Sequence, residues 1–402
     1  MIYKKLKELC ILKNGYAFKS KDFSQNGVPV IKIKNVKPNK ILLEGLSYVP
    51  QEIADSKLEY KISKGDILIT MTGNRADGSP DSWVGKVALF REEGTYLLNQ
   101  RLAIIRPISD DVDLEYLAYY LSSWETQLYF IKRANSSGGQ ANISPSIVGE
   151  YDIALPNKNE QMKIASLLRD FDLKIRLNAN INNNLLEQVL ALYRNRFVDT
   201  VNNERRICRA DEYFDISIGK TPPRKEPQWF STNPQDVTWV SISDMGTCGL
   251  YIGSSSEQLT KEAVDRHNVK IVPDNTVLLS FKLTVGRIAI TNGEMTTNEA
   301  IAHFKTDKKE INEYLYCYLK CFNYQTMGST SSIATAVNSK IIKGMPFVVP
   351  TDDELIDFHS VAAPMFAKIK ANQTESEKLT AVRDTLLPKL MSGELDVSDI
   401  EL

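Results

Sequence analysis

A chain of 402 residues, 43% hydrophobic and 25% charged, has room for two domains of ordinary size, each with a buried core. Its formal net charge of −1 withholds the basic excess usual in nucleic-acid-binding domains, so composition alone does not establish such a role. No apolar run approaches the ~20 residues needed to cross a bilayer, the N-terminus does not read as a secretory signal, and five scattered cysteines without a CxxC pair suggest reduced thiols in a cytoplasm.

The first 40 residues carry ten lysines against Glu8 and Asp22. Within residues 1–156, short β-branched runs bounded by Gly, Asn and Pro predict strands at 28–34, 67–71 and 86–90. A helix follows at 114–128, then a Gly/Ser-rich loop and a closing strand that ends at Pro156. From 159 to about 199 there is no Pro and no Gly, and Ile164, Leu168, Phe171, Ile175, Leu185 and Val189 recur in steps of three and four. That spacing predicts a long helix packed on another helix over 157–200, with Asn178 and Asn182 interrupting its apolar seam.

Residues 201–350 repeat this grammar. Gly65-Asp66-Ile67-Leu68-Ile69 is echoed by Asn275-Thr276-Val277-Leu278-Leu279, and Val84-Gly85-Lys86-Val87-Ala88-Leu89 by Val285-Gly286-Arg287-Ile288-Ala289-Ile290. Asn99-Gln100 matches Asn298-Glu299, Glu115-Tyr116-Leu117 matches Glu313-Tyr314-Leu315, and a helix is expected at 310–322. A second long helix, with an acidic tail, is expected over 351–402, its seam including Ile369, Asn372, Leu379 and Leu386. Pro364 predicts that this helix starts there or is kinked. Cys317 and Cys321 stand one helical turn apart without His or a second pair, which favours packing over a metal.

An ordered repeat near 200 residues indicates a duplicated domain. The fold class expected is α+β: two similar domains separated by two long helices that form an antiparallel coiled coil about a pseudo-two-fold axis. Such an object measures distance, since about 40 helical residues span ~60 Å and one DNA turn is ~34–36 Å. A polar residue in an apolar seam costs stability but sets register, the role expected of Asn178 and Asn372.

The alternation of domain and helix resembles the specificity subunit of type I restriction-modification enzymes. The segments that carry the resemblance are Leu12-Lys13-Asn14-Gly15-Tyr16-Ala17-Phe18, Lys64-Gly65-Asp66-Ile67-Leu68, Ile153-Ala154-Leu155-Pro156 with Glu160-Gln161 behind it, and Leu386-Leu387-Pro388-Lys389-Leu390-Met391-Ser392-Gly393-Glu394-Leu395. The second domain departs mildly, with Ile218-Gly219-Lys220-Thr221-Pro222 as its opening and Asp353-Glu354 at the helix start. The resemblance implies that each domain is a target-recognition domain reading half of a split, asymmetric site on double-stranded DNA. It implies that the helices dock two modification subunits, which bring S-adenosylmethionine and methylate adenine. Restriction subunits, with ATP and magnesium, join that core in a bacterial or archaeal cytoplasm, without a membrane. The chain itself would hold no cofactor and catalyse nothing.

The residues agree with the last point. Asn233-Pro234-Gln235-Asp236 fails as an amino-methyltransferase motif, and Gly219-Lys220-Thr221 lacks the upstream glycine of a phosphate loop. Ser280 and Val84 stand where a nuclease needs carboxylates, and the three histidines are isolated. DNA contacts then fall to loops. Arg75, Gln140 and Asn142 are candidates for bidentate contacts to base edges in the first domain. Lys220 and Arg224, Lys282, Ser329 and Lys340 hold the matching places in the second. Lys13, Lys19, Lys32, Lys34 and Lys37 are candidate phosphate contacts. Two other readings compete: a scaffold without a DNA role that spaces two partner subunits, and a detached recognition half of a fused enzyme.

Overall fold

A computed structural model of the chain describes residues 2–74, 83–137, 140–200, 205–327 and 338–397. The chain divides into two compact units, Met1–Lys174 with Lys378–Leu402, and Ile175–Glu377. Each mixes sheet with helix, and each takes part of both long helices.

In the first unit the β-branched run Ile67–Thr70 is buried at every position, so it lies inside a sheet rather than at its edge. The strand order is Val87–Leu89, Ile67–Thr70, Leu102–Pro107, Cys10–Asn14, antiparallel throughout. A second sheet sets Val28–Ile31 parallel to Tyr96–Leu98, with Ser47–Val49 and Lys61–Ile62 outside them. Ile2–Lys5 pairs with the closing strand Asp152–Leu155. The single helix expected at 114–128 is two helices, Leu114–Ser122 and Trp124–Arg133. They part at Ser123, whose hydroxyl accepts the Thr126 amide and so caps the second one.

The second unit repeats the topology. Ile288–Thr291, Val277–Ser280, Ile301–Lys305 and Asp215–Ile218 follow in the same order, with Tyr251–Ile252 added beside the first. Val237–Val240 is parallel to Thr296–Thr297 as its counterparts are in the first unit. Arg206–Arg209 pairs with Pro346–Val349, and the expected helix is Asn312–Cys321. The repeated Val-Gly pair has one backbone reason: Gly85 and Gly286 stand at φ +80° and +90°, where a side chain is strained.

The first long helix is Lys158–Tyr193, extended by a π-helical turn at Arg194–Val198. The second is Asp352–Ser392. It begins well before Pro364, which is exposed within it, so the expectation of a start at that proline is corrected. Both helices enter the cores. In the first unit Ile164 and Leu168 are buried in one cluster with Leu390 and Met391. In the second, Val189 and Tyr193 share a cluster with Leu355, Phe358 and Ile369. Within that unit Tyr193 meets Phe358 while Asn178 meets Ser376, so rising numbers on one helix face falling numbers on the other: the pair is antiparallel.

Of the expected seam, Ile164, Leu168, Asn178, Val189, Ile369 and Asn372 are buried. Phe171, Ile175, Leu185, Leu379 and Leu386 are half-buried. Phe366, on the same helix, is fully buried against Tyr316 at 5.7 Å between ring centroids.

Candidate nucleic-acid interface

In the first unit the loops after Asn14 and Thr70 and before Val87 and Leu102 leave the sheet at one end, as the antiparallel registers require. Gly15 is needed there for room: a Cβ on it would stand 2.1 Å from the Asn99 carbonyl oxygen. Gly219 repeats the device, its Cβ meeting Thr297 Oγ1 at 2.1 Å and the Asn298 carbonyl oxygen at 2.2 Å. The Asn-Gly and Ile-Gly openings thus pack on the repeated Asn99 and Asn298 segments.

The two loops expected to read bases in the first domain come together. Asn135–Ser137 and Gln140–Asn142 form a hairpin whose second strand pairs with Thr72–Gly73. Thr72 Oγ1 donates to Asn142 Oδ1 at 2.8 Å, which fixes the Asn142 amide orientation. Gln140 and Asn74 are exposed, and Asn142 is half-buried. Arg75 and Ser329 lie outside the described residues. Beside this sheet, Asn74 bridges Trp83, whose ring sits 5.4 Å from that of the half-exposed Trp124. Arg101, exposed in the loop before Leu102, joins the same end. Its place beside the repeated Asn99-Gln100 pair was the available signal.

The candidate phosphate contacts differ in freedom. Lys13 donates to the Glu59 carbonyl and lies 5.6 Å from the Tyr60 ring. Lys32 sits 3.6 Å over the Phe23 ring, and burial, with Lys34 beside it, pulls its ammonium below the usual range. Lys19 and Lys34 are exposed, and Lys37 is half-buried. Lysines stacked on aromatic rings are held at low entropic cost, but they are not free point charges.

In the second unit Gly219-Lys220-Thr221 and Phe281-Lys282-Leu283 leave the sheet at its corresponding end. Lys220 Nζ donates to the His267 carbonyl at 2.6 Å. Arg224 forms a bidentate pair with Glu257 at 2.9 Å and lies over the Phe230 and Trp239 rings. Two of its five N–H donors are therefore engaged within the unit. Lys282 and Lys340 are exposed.

Two polar networks brace the helices. Asn178 Nδ2 donates to Glu375 Oε2 at 2.8 Å and to Ser376 Oγ at 3.3 Å, while Asn372 Nδ2 donates to Asn182 Oδ1 at 2.8 Å. In the first unit Asp172 accepts from Asn39 at 2.6 Å, Tyr119 at 2.7 Å and Arg383 at 2.5 Å. Its sequence position shows no sign of that role, because every partner is remote along the chain.

Among the described residues no group of three His, Cys, Asp or Glu is placed to hold a metal ion. A profile of the type I restriction modification DNA specificity domain matches residues 2–187 and 206–380. Relatives include the HindI type I restriction enzyme specificity subunit of Haemophilus influenzae, 22% identical across 75% of this chain and 81% of that protein. The MjaIX specificity subunit of Methanocaldococcus jannaschii is 28% identical across 84% of this chain and 79% of its own length. The crystal structure of a type I restriction-modification S subunit from M. genitalium shares the fold, with a TM-score of 0.55 at 16% identity over 97% of this chain and 95% of that one. With the profile lying over both copies of the duplicated unit and over most of both helices, the chain belongs to the type I restriction-modification DNA specificity family, as a specificity subunit.

Proposed function

We propose that each unit reads one half of a split target on double-stranded DNA through the loops gathered at its sheet end. The observation that supports this most is the hairpin at 135–142 annealed to Thr72–Gly73, which concentrates Asn74, Gln140 and Asn142 on one small surface. Side-chain amides of this kind make paired contacts to adenine edges, and exposed lysines such as Lys19, Lys34, Lys282 and Lys340 reach phosphates.

In this reading the long helices dock modification subunits, two per chain, which supply S-adenosylmethionine chemistry on adenine. Restriction subunits with ATP and magnesium complete the assembly. Relatives come from a bacterium and an archaeon, and no described helix is long and apolar enough to cross a membrane, which suits a cytoplasmic complex.

Sequencing methylated adenines in cells that carry the chain with its modification partner tests the reading. A two-part motif is expected. Replacing Arg75 with Ala should relax one base of one half-site, whereas uniform weakening on every sequence would make Arg75 a phosphate contact.

A further inference from the structure

Between the paired strands Val277–Ser280 and Ile288–Thr291 of the second unit the chain turns through 281–287. Leu283 is at its tip, 98% exposed, where other exposed large apolar residues among those described reach at most 68%. Its φ is +60°. The Thr284 amide donates to the Lys282 carbonyl at 2.6 Å, so Leu283 is the centre of a three-residue turn of the positive-φ form, which is rare and strained. Glycine or asparagine adopts that conformation at lower cost.

The turn is not slack. Ser280 Oγ donates to the Thr284 carbonyl at 2.6 Å and accepts the Arg287 amide at 3.0 Å, while the Gly286 amide donates to the Ser280 carbonyl at 3.0 Å. A braced turn thus presents an apolar side chain, in a conformation such residues avoid, wholly to water. Among the described residues of the unit, nothing repays either penalty. The exposed Lys282 precedes it, and Lys220 leaves the same end of the sheet. A cation beside a projecting apolar wedge is complementary to a duplex, whose phosphates lie outside and whose stacked bases lie within.

We propose that Leu283 inserts between neighbouring base pairs of the half-site read by the second unit, with Lys282 on a flanking phosphate, so that local unstacking becomes part of recognition. The inference rests on the reading that this unit binds DNA, and it adds a sequence-dependent deformation term that base-edge contacts do not supply.

The test uses the full chain assembled with its modification subunits, on a duplex carrying the mapped target with 2-aminopurine scanned through that half-site. Emission should rise at one step when the wild-type assembly binds. Leu283→Ala should lose that rise and bind about tenfold more weakly, and Leu283→Phe should keep both. Thermal unfolding of Leu283→Ala should not fall below wild type, which separates the loss from misfolding. The proposal is overturned if wild type binds without a rise at any step, or if Leu283→Ala retains the rise. It is also overturned if no step unstacks and Leu283→Ala only loses preference for one thymine, which would assign Leu283 to a methyl contact. Failure of the underlying DNA reading looks different: no salt-sensitive duplex binding by wild type or variants, and the wedge falls with it.

Discussion

His303 is wholly buried on Ile301–Lys305, with Ser217 Oγ 3.0 Å from Nδ1 and Thr297 Oγ1 2.7 Å from Nε2. Burial, with a smaller push from Lys305, lowers its pKa to about 3. An unfolded chain binds a proton near pH 6.5 that the folded one refuses until about 3. Stability is therefore complete above 6.5 and declines as pH falls through that window, by up to about 1.4 kcal/mol per pH unit. Urea unfolding of His303→Gln between pH 7 and 4 should show a shallower loss; an unchanged slope would refute the assignment. At the neighbouring turn, Gly219→Ala forces a Cβ into Thr297 and Asn298 and should cost about 1–3 kcal/mol in the same measurement. Residue identity alone marks Lys13 and Arg224 as candidates, but Lys13 is held by the Glu59 backbone carbonyl and Arg224 is paired with the Glu257 carboxylate, partners that no local pattern connects to them.

The long helices were legible because their seams repeat within a few residues, where periodicity and burial coincide. Legibility failed at Pro364, which the helix absorbs on an exposed face. The paired asparagines form a network in which Asn178 Oδ1 remains buried without a partner, a cost consistent with specification of register rather than with stability. Asn372→Ala should destabilise by about 1–3 kcal/mol because it strands Asn182 Oδ1. Leucine at 178 and 372 together should be neutral or stabilising yet broaden the interhelical distances measured between spin labels; narrow distances would remove the register role. Asp172→Ala, which releases Asn39, Tyr119 and Arg383 together, should cost about 3 kcal/mol in urea unfolding, and a loss below 1 would show the hub to be dispensable.

For the whole molecule, a net charge of −1 means that DNA binding depends on where cations stand, not on their sum. Affinity of the assembled complex for its mapped duplex should fall steeply as salt rises, whereas a scaffold without a DNA role would show no duplex binding to titrate. Exchanging residues 201–350 for those of a relative with a different target should change one half of the methylated motif and spare the other. A change in both halves would refute independent reading. By itself the sequence determined the duplication, the two long helices and most of their seam, since these are written in local spacing and in order along the chain. Tertiary structure decided which loops share a surface: Thr72 beside Asn142, Asp172 as a hub, Leu283 alone in water. The first two depend on contacts between residues scores of positions apart, which the closing of sheets sets, and the third on a strained turn that no residue pattern announces.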